Sequence, residues 1–166
     1  ARFATGNDIV LLQEATLIDP LQRVLHDAGL RWVMASSFIY LDVDIGVLSA
    51  VRVPLVAHCT QRVTEPLLRL PKSSVVTWLP IAGTTRTLAV ANVHSINFSL
   101  LLGEYESQFD GVAQALAEHD GPIILAGDLN TWTEERVAAL ERVAARLSLT
   151  PIRFEGGRSK FLGREV

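Results

Sequence analysis

The chain has 166 residues, of which 49% are hydrophobic and 20% charged, and its formal net charge is −3. This length and composition suit one globular domain with a substantial core, and they exclude a disordered or collagen-like chain. The small negative charge excludes the strongly basic face of a dedicated duplex-DNA binder. Substrate phosphates would therefore have to be neutralised by a local patch or by a metal.

Cellular location has only weak markers in this sequence. The single cysteine, Cys59, cannot form an internal disulfide and fits a reducing compartment. No apolar run reaches the length of about 18 residues that a membrane span needs, and residues 1–8 lack the layout of a signal peptide. We therefore expect a cytoplasmic protein without an obligate protein partner. The chain opens without Met, and we expect its natural N-terminus to be missing.

The first half of the chain alternates short apolar runs with turn residues, and one amphipathic helix interrupts them. That helix is predicted to have Asp19 as its N-cap and Pro20 in its first turn, and to stop at Gly29. The run that precedes it has the character of a buried strand. The predicted strands of this half cover residues 8–14, 31–35 and 45–49.

In the second half, three predicted strands are followed by a helix, one further strand and a last helix. A turn at Gly83 predicts that two of its strands form a hairpin, and a fully buried strand is predicted later in the chain. Helical spacing of apolar residues extends from Leu102 to about His119, and Thr131 with Glu134 predicts a capping box for a last helix that reaches about Leu147. The predicted strands cover residues 53–64, 73–81, 86–94 and 123–126, and a polar loop covers residues 155–160.

Strands that cluster between helices indicate an α/β (α+β) sandwich within a single domain, residues 1–166, rather than a regularly alternating doubly wound sheet. Three of the apolar strands end abruptly in polar residues. These endings are Gln13-Glu14, Asn92-Val93-His94 and Gly127-Asp128-Leu129-Asn130. Polar groups on the ends of a rigid sheet are where α/β proteins place binding and catalytic residues.

Side chains two apart on a strand face the same way. Asn92 and His94 are therefore predicted to point together, as are Asp128 and Asn130 if the strand stays extended. Each feature alone also has an ordinary structural interpretation: a solvated glutamate, a satisfied histidine or a turn before a helix. Trp132 is predicted to pack rather than to stack on a base. All three endings occur in one chain and in this order, and this combination favours a functional site.

Four segments carry a resemblance to a known group of proteins: Leu-Leu-Gln-Glu-Ala, Ile-Gly-Val-Leu-Ser, Val-Ala-Asn-Val-His and Leu-Ala-Gly-Asp-Leu-Asn-Thr-Trp. They resemble the endonuclease/exonuclease/phosphatase superfamily, and residues 94–99 resemble a little-characterised bacterial branch of it. The resemblance implies a four-layer αββα sandwich of DNase I-like type. The superfamily's first strand and its C-terminal Ser-Asp-His-like motif are not found in the sequence. We therefore expect a fragment that is incomplete at both termini and weakly active or inactive alone.

The resemblance also implies site residues and a cofactor. Glu14 would be the metal-binding carboxylate, for Mg²⁺ with Mn²⁺ as a substitute. His94 would donate to the phosphate or take part in proton transfer. Asp128 would orient or deprotonate the attacking water, and Asn130 would hydrogen-bond a phosphoryl oxygen.

The predicted phosphate-binding residues are Lys72, Asn92 and Asn97. Lys72 could equally be a solvated lysine at a strand entry, and Asn97 could simply cap the helix that follows. Both alternatives stay open at the level of sequence.

The first functional hypothesis is a Mg²⁺-dependent phosphodiesterase or nuclease that directs water onto a nucleic acid or a small phosphodiester. A phosphomonoesterase or a phospholipid head-group phosphodiesterase is the alternative within the same chemistry. A non-catalytic binding module with the same fold is the alternative from another class. Metal-dependent turnover would separate the enzymes from the module.

Overall fold

The computed structural model describes residues 3–99, 102–152, 160–161 and 164–165 of the chain. Within these residues the polypeptide forms three helices and nine strands, most of them close to the positions predicted above. In chain order they are β1 (Ile9–Thr16), α1 (Asp19–Asp27), β2 (Arg31–Tyr40), β3 (Val43–Val51), β4 (Ala57–Thr64), β5 (Pro71–Pro80), β6 (Thr87–His94), α2 (Gly103–Ala115), β7 (Ile123–Asp128), α3 (Glu134–Arg146), β8 (Lys160–Phe161) and β9 (Arg164–Glu165).

The strands assemble into two principal sheets and a short pair. The first sheet has the order β1-β3-β2 with antiparallel neighbours, and the second has the order β4-β5-β6-β7. In the second sheet β5 and β6 form the predicted antiparallel hairpin, whereas β6 and β7 run parallel. Strands β8 and β9 pair only with each other among the described residues. The parallel pair matters for the site, because it brings the carboxyl ends of two strands to one edge.

The layers are stacked as helix, sheet, sheet and helices. Helix α1 covers the outer face of the first sheet, where Leu25 shares a core cluster with Val10 and Leu48. Helices α2 and α3 cover the outer face of the second sheet, where Phe109 packs in a cluster with Val93. The inner faces of the sheets meet through two small clusters of buried residues: Ala35, Val47 and Val75, and Val51, Leu79 and Val90. The predicted four-layer αββα sandwich is confirmed.

The alternation of side chains along β6 shows how this layering positions polar groups. Ala89, Ala91 and Val93 face the cluster beneath α2 and α3. Val90 and Asn92 face the other sheet, where Asn92 bonds to residues of β1 and β3. With a period of two, the side chain of the last residue of β6 leaves on the same side as Asn92.

The N-caps predicted for α1 and α3 both need correction. The N-cap of α1 is Ile18, whose backbone is extended, and Asp19 is already helical, while Pro20 occupies the first turn as predicted. The N-cap of α3 is Thr133, whose side chain accepts a hydrogen bond from the backbone N of Arg136 at 3.3 Å. The Thr131 capping box is wrong because the loop after β7 continues two residues further before the helix begins.

Several strand boundaries and burial assignments also differ from expectation. Strand β7 is not fully buried, since Ile124 is 42% exposed and β7 pairs with β6 alone in the described part of the chain. Strand β1 is likewise an edge strand and only partly buried. Strands β2 and β3 are longer than predicted and are joined by a two-residue turn, in which Leu41 and Asp42 have φ values of 49° and 62°.

The predicted second helix ends at Ala115 instead of His119, and a hydrogen-bonded turn follows it. Of the polar loop predicted over residues 155–160, residues 155–159 lie outside the described part of the chain, and Lys160 begins β8. No helix among the described residues is both long enough and apolar enough to cross a membrane.

The cap assignment of α3 gives a stability prediction with a matched control. We expect Thr133→Ala to lower the free energy of unfolding by about 1 kcal/mol, because the backbone N–H of Arg136 loses its side-chain acceptor. Thr131→Ala, two residues earlier, should change it by less than about 0.5 kcal/mol. Urea unfolding followed by circular dichroism measures both values. Equal losses in the two variants would contradict the observed cap.

Candidate active site

Four ionisable side chains meet at one edge of the two sheets. Glu14 lies near the end of β1, Lys72 near the start of β5, His94 at the end of β6 and Asp128 at the end of β7. Lys72 Nζ lies 2.9 Å from His94 Nε2 and 3.7 Å from Glu14 Oε1. His94 Nε2 lies 3.9 Å from Glu14 Oε1 and 3.6 Å from Asp128 Oδ2. The structure therefore brings together Glu14, His94, Asp128 and Lys72, residues predicted from separate parts of the sequence.

Two of the four side chains are buried and form the floor of the site, and the two carboxylates are exposed and form its rim. The side chains of His94 and Lys72 are 6% and 15% exposed, whereas those of Glu14 and Asp128 are 74% and 52% exposed. Register explains part of this arrangement, since parallel pairing places His94 directly beside Asp128. A ligand that approaches the edge therefore meets two carboxylates first and the lysine–histidine pair beneath them. Lys72 is a member of this group rather than a fully solvated lysine.

The carboxylate of Glu14 owes its position to a β-bulge. The pairing of β1 with β3 shifts register between Leu12 and Ala15, and Glu14 has a φ of 51°. A bulge turns a side chain away from the direction that regular alternation would give it. A left-handed conformation at a non-glycine residue is uncommon and is often found at functional sites.

Asp128 is positioned by the glycine that precedes it. Gly127 has a φ of 141°, and a Cβ atom built there would lie 2.0 Å from the carbonyl oxygen of Val93 in the neighbouring strand. Only glycine combines that conformation with that close approach. The glycine of the Gly-Asp-x-Asn segment is thus a requirement of the backbone beside the site.

The surroundings of His94 favour its neutral imidazole, because they lower its pKa. Burial lowers its pKa, and the positive charge of Lys72 lowers it further, while Asp128, Glu14 and Glu65 act in the opposite direction. An ammonium group only donates, so Lys72 Nζ donates to His94 Nε2 and that nitrogen carries a lone pair. The contact with Lys72 thus opposes a second positive charge on His94.

Asn92 is not placed where a substrate could touch it. Its side chain is fully buried between the sheets, accepts a hydrogen bond from Gln13 Nε2 at 2.6 Å and donates to the carbonyl of Leu48 at 3.0 Å. It lies two residues before the end of β6, one step deeper than His94. The direct phosphate contact expected for Asn92 is corrected to a structural one, in which its amide joins the two sheets beneath the site.

Asn130 lies beside Asp128 but does not extend the strand. Strand β7 ends at Asp128, and Asn130 has a φ of 45°, so the two side chains do not project together by strand alternation. The backbone N of Asn130 donates to Asp128 Oδ1 at 3.4 Å, and its side-chain amide donates to the carbonyl of Ser95 at 3.0 Å. Asn130 thus links the loop after β7 to the loop after β6.

Asn97 is held by an aromatic residue rather than by the following helix. Its Oδ1 accepts from the indole N–H of Trp132 at 3.0 Å, and its backbone N donates to Glu65 Oε2 at 3.2 Å. The N-cap of α2 is Leu102, so the capping interpretation of Asn97 is wrong. Trp132 is about half exposed, with one face against the guanidinium of Arg136.

Sequence reasoning missed three buried polar residues that support the site, namely Glu65, Gln108 and Arg136. Gln108 accepts from the backbone N of Ile96 at 2.9 Å and donates to the carbonyl of His94 at 3.0 Å. One signal was available, because Arg136 falls on the buried face of α3 with Ala139 and Val143, three and seven residues later. A charged residue in an apolar stripe requires partners.

The side chains at this edge could supply oxygen ligands to a metal ion, but they do not form a complete coordination shell. No group of three or more His, Cys, Asp or Glu side chains with a metal-binding arrangement occurs in the described ranges. Mg²⁺ is commonly held by one or two carboxylates while water molecules and substrate oxygens complete its coordination. The exposed carboxylates of Glu14 and Asp128 fit that requirement.

The sequence was compared with protein families and with curated proteins. Residues 2–157 match the sequence profile described as the Endonuclease/Exonuclease/phosphatase family. The chain belongs to this family. Its relatives include the UPF0294 protein of Vibrio campbellii, 36% identical over 163 residues, which covers 96% of this chain and 57% of the relative. The UPF0294 protein of Klebsiella pneumoniae is 36% identical over 165 residues, covering 99% and 62%. The chain thus spans about three-fifths of the length of these family members.

Solved structures confirm the DNase I-like fold of this family member. Sphingomyelinase C from Streptomyces griseocarneus aligns with a TM-score of 0.66 and 21% identity, covering 91% of this chain and 60% of that one. The human Nocturnin catalytic domain with bound sulfate aligns with a TM-score of 0.62 and 21% identity, covering 87% and 64%. At this level of identity the likeness establishes the fold, and the chemistry has to be argued from the site itself.

Proposed function

We propose that this chain contains the larger part of the active site of a metal-dependent phosphoester hydrolase, most specifically a phosphodiesterase. The observation that carries the proposal is the meeting of Glu14, Lys72, His94 and Asp128 at one sheet edge. Family membership supports the same reaction class. The substrate would be a nucleic acid or a small phosphodiester.

The balance of charge at the edge favours a bound cation. Two carboxylates face one ammonium group, and burial together with Lys72 lowers the pKa of the imidazole between them, which disfavours a second positive charge there. A phosphodiester anion would therefore meet net negative charge at the rim. A divalent cation reverses that sign, and hard oxygen ligands favour Mg²⁺, with Mn²⁺ as a substitute. Glu14 would hold the ion, which would stabilise negative charge on the phosphoryl oxygens.

The protein side chains would divide the remaining work of hydrolysis. Lys72 would donate to a phosphoryl oxygen, and its departure from His94 would free Nε2 to take or hold a proton. Asp128 would orient the attacking water and accept its proton while the P–O bond to the leaving group breaks. The amide of Asn130 has two N–H groups, of which one donates to Ser95 and the other is free to donate to a phosphoryl oxygen.

Hydrolysis of bis-p-nitrophenyl phosphate by the full-length protein tests this function. We expect turnover with Mg²⁺ or Mn²⁺ and none with EDTA. We also expect Glu14→Gln to raise the Mg²⁺ concentration for half-maximal rate by at least about tenfold, because an amide replaces a charged ligand. Glu118→Gln, which removes the same charge at an exposed position after α2, should leave that concentration unchanged.

Calorimetric titration with Mg²⁺ provides an independent check of the site. A folded full-length protein that neither binds the metal nor hydrolyses the diester would overturn the proposal and favour a binding module of the same fold. Parallel assays with p-nitrophenyl phosphate separate diester from monoester hydrolysis. A rate on the monoester well above that on the diester would replace phosphodiesterase with phosphomonoesterase.

A further inference from the structure

The guanidinium of Arg136 connects the two loops that follow the catalytic strands. Its Nη1 donates to the carbonyls of Ile96, at 2.6 Å, and Asn130, at 3.1 Å. Its Nη2 donates to the carbonyl of Asn97, at 2.8 Å, and to Ser99 Oγ, at 3.1 Å. Ile96, Asn97 and Ser99 belong to the loop after His94, and Asn130 belongs to the loop after Asp128. One side chain thus spans both.

Aromatic contacts fix the guanidinium in place. Its central carbon lies 4.7 Å from the ring centroid of Tyr105 and 4.6 Å from that of Trp132. The hydroxyl of Tyr105 donates to the carbonyl of Leu129 at 2.7 Å, so this ring is itself tied to the loop after β7. The residue as a whole is only 3% exposed. A guanidinium that contacts two aromatic rings and makes four hydrogen bonds has little freedom to move.

The other contacts of the loop after His94 run in two directions. At its first residue the loop is joined directly to β7 and the loop that follows, because the backbone N of Ser95 donates to the carbonyl of Asp128 at 2.9 Å and the side-chain amide of Asn130 donates to the carbonyl of Ser95 at 3.0 Å. Gln108 ties that loop to α2, and Glu65 ties it to the end of β4 through the backbone N of Asn97. Neither contact reaches the backbone of the loop after β7. Arg136, in contrast, bonds to both backbones through a single nitrogen. Beyond Ser95, Arg136 therefore adds the contact that joins the carbonyls of Ile96 and Asn97 to that of Asn130 through one planar group.

We propose that Arg136 is a positioning residue that sets the spacing between the loop after His94 and the loop after Asp128, and thereby aligns both side chains for water attack on phosphorus. The structural part of this inference, the spacing of the loops, rests on the loop contacts alone. The catalytic part, the alignment of His94 and Asp128, also rests on the proposed function. Lysine carries the same charge but lacks the planar fork, so it cannot reproduce the paired contacts.

Arg136→Lys in the full-length protein tests the catalytic part. We expect kcat on bis-p-nitrophenyl phosphate to fall by about 10²-fold, the loss that a misplacement of about 1 Å causes, with KM changed by less than about threefold. Arg146→Lys is the matched control, because Arg146 lies on the same helix with an exposed side chain paired to Asp110. It should leave both constants unchanged. A kcat for Arg136→Lys within twofold of that of the natural protein would overturn the catalytic part.

Amide hydrogen exchange tests the structural part without reference to turnover. The carbonyls of Ile96, Asn97 and Asn130 accept from the guanidinium, while their amides donate to Gln108, Glu65 and Asp128. In Arg136→Lys we expect these three amides to exchange about tenfold faster, because loops that lose hydrogen bonds to a charged group open more often. Arg146→Lys should not change them. Unchanged exchange in Arg136→Lys would overturn the positioning role whether or not the natural protein hydrolyses the diester. If the natural protein showed no turnover, the proposed function would be contradicted. The exchange measurement would still decide whether Arg136 positions the two loops.

A second variant covers the case in which Arg136→Lys does not fold. Tyr105→Phe keeps the ring beneath the guanidinium and removes only the hydrogen bond to Leu129. We expect a drop in kcat of about three- to tenfold with KM unchanged, which corresponds to the loss of one neutral hydrogen bond. A kcat equal to that of the natural protein, together with unchanged exchange at Asn130, would contradict the proposal.

Discussion

Asp128→Asn is expected to lower kcat/KM for bis-p-nitrophenyl phosphate by about 10²- to 10⁴-fold, the range that a positioned general base contributes. The neutral amide cannot accept the proton of the attacking water, and the substitution removes one of the two carboxylates that would balance a cation at the proposed site. The fold should be retained, since Asp128 Oδ1 accepts from the backbone N of Asn130 and an amide oxygen can do the same. Steady-state rates with the full-length protein measure the loss.

The control for this variant lies at the opposite end of the same strand. Asp120 is an exposed carboxylate in the turn that leads into β7, away from the catalytic edge. Asp120→Asn should leave kcat/KM within about twofold, as surface substitutions away from a site usually do. If Asp128→Asn behaved like Asp120→Asn, Asp128 would not be the base, and the arrangement at the strand ends would need another explanation.

The second large effect is expected from Gly127→Ala, which should lower the free energy of unfolding by about 2–5 kcal/mol. The new Cβ would meet the carbonyl oxygen of Val93 at 2.0 Å, and the φ of 141° is unfavourable for any side chain. Relief of the clash requires β7 to move away from β6. That movement separates Asp128 from His94, so turnover should fall together with stability.

A second glycine provides the comparison. Gly103 begins α2, has an ordinary φ, and a Cβ atom there would meet nothing within 4 Å. Gly103→Ala should leave the free energy of unfolding unchanged or raise it by up to about 1 kcal/mol, because alanine favours the helix. Urea unfolding measures both variants. A loss of less than about 1 kcal/mol for Gly127→Ala would show that the strand end accommodates a side chain and that glycine is not required there.

Local patterns in the sequence were sufficient for the elements and for the chemistry of their ends. The hydrophobic run that ends in Gln13-Glu14 predicted β1, and Asn92-Val93-His94 predicted the end of β6 with its two side chains on one side. Errors arose where neighbours decide the outcome. The burial of β7 depends on which strand lies beyond it, and the start of α3 depends on how far the loop after Asp128 continues.

The site shows the same division residue by residue. Glu14, His94 and Asp128 could be named in advance because the three polar strand endings occur together in this order and carry the family resemblance, although each residue alone has an ordinary structural interpretation. Asn92 could not be separated from them, since its depth between the sheets follows from packing. Lys72 remained ambiguous because its contact with His94 joins residues 22 positions apart.

The sequence by itself therefore determined the order of strands and helices, the family and three of the groups that meet at the sheet edge. The order of the elements follows from periodicities of two and 3.6 residues, which are local. The family and the three site groups follow from the resemblance that four short segments carry. Only the tertiary structure decided that a bulge turns Glu14 toward His94, that Asn92 is a support, and that Arg136 joins two loops. Such features depend on strand register and on hydrogen bonds between residues distant in the chain, whose energies exist only once the layers have packed.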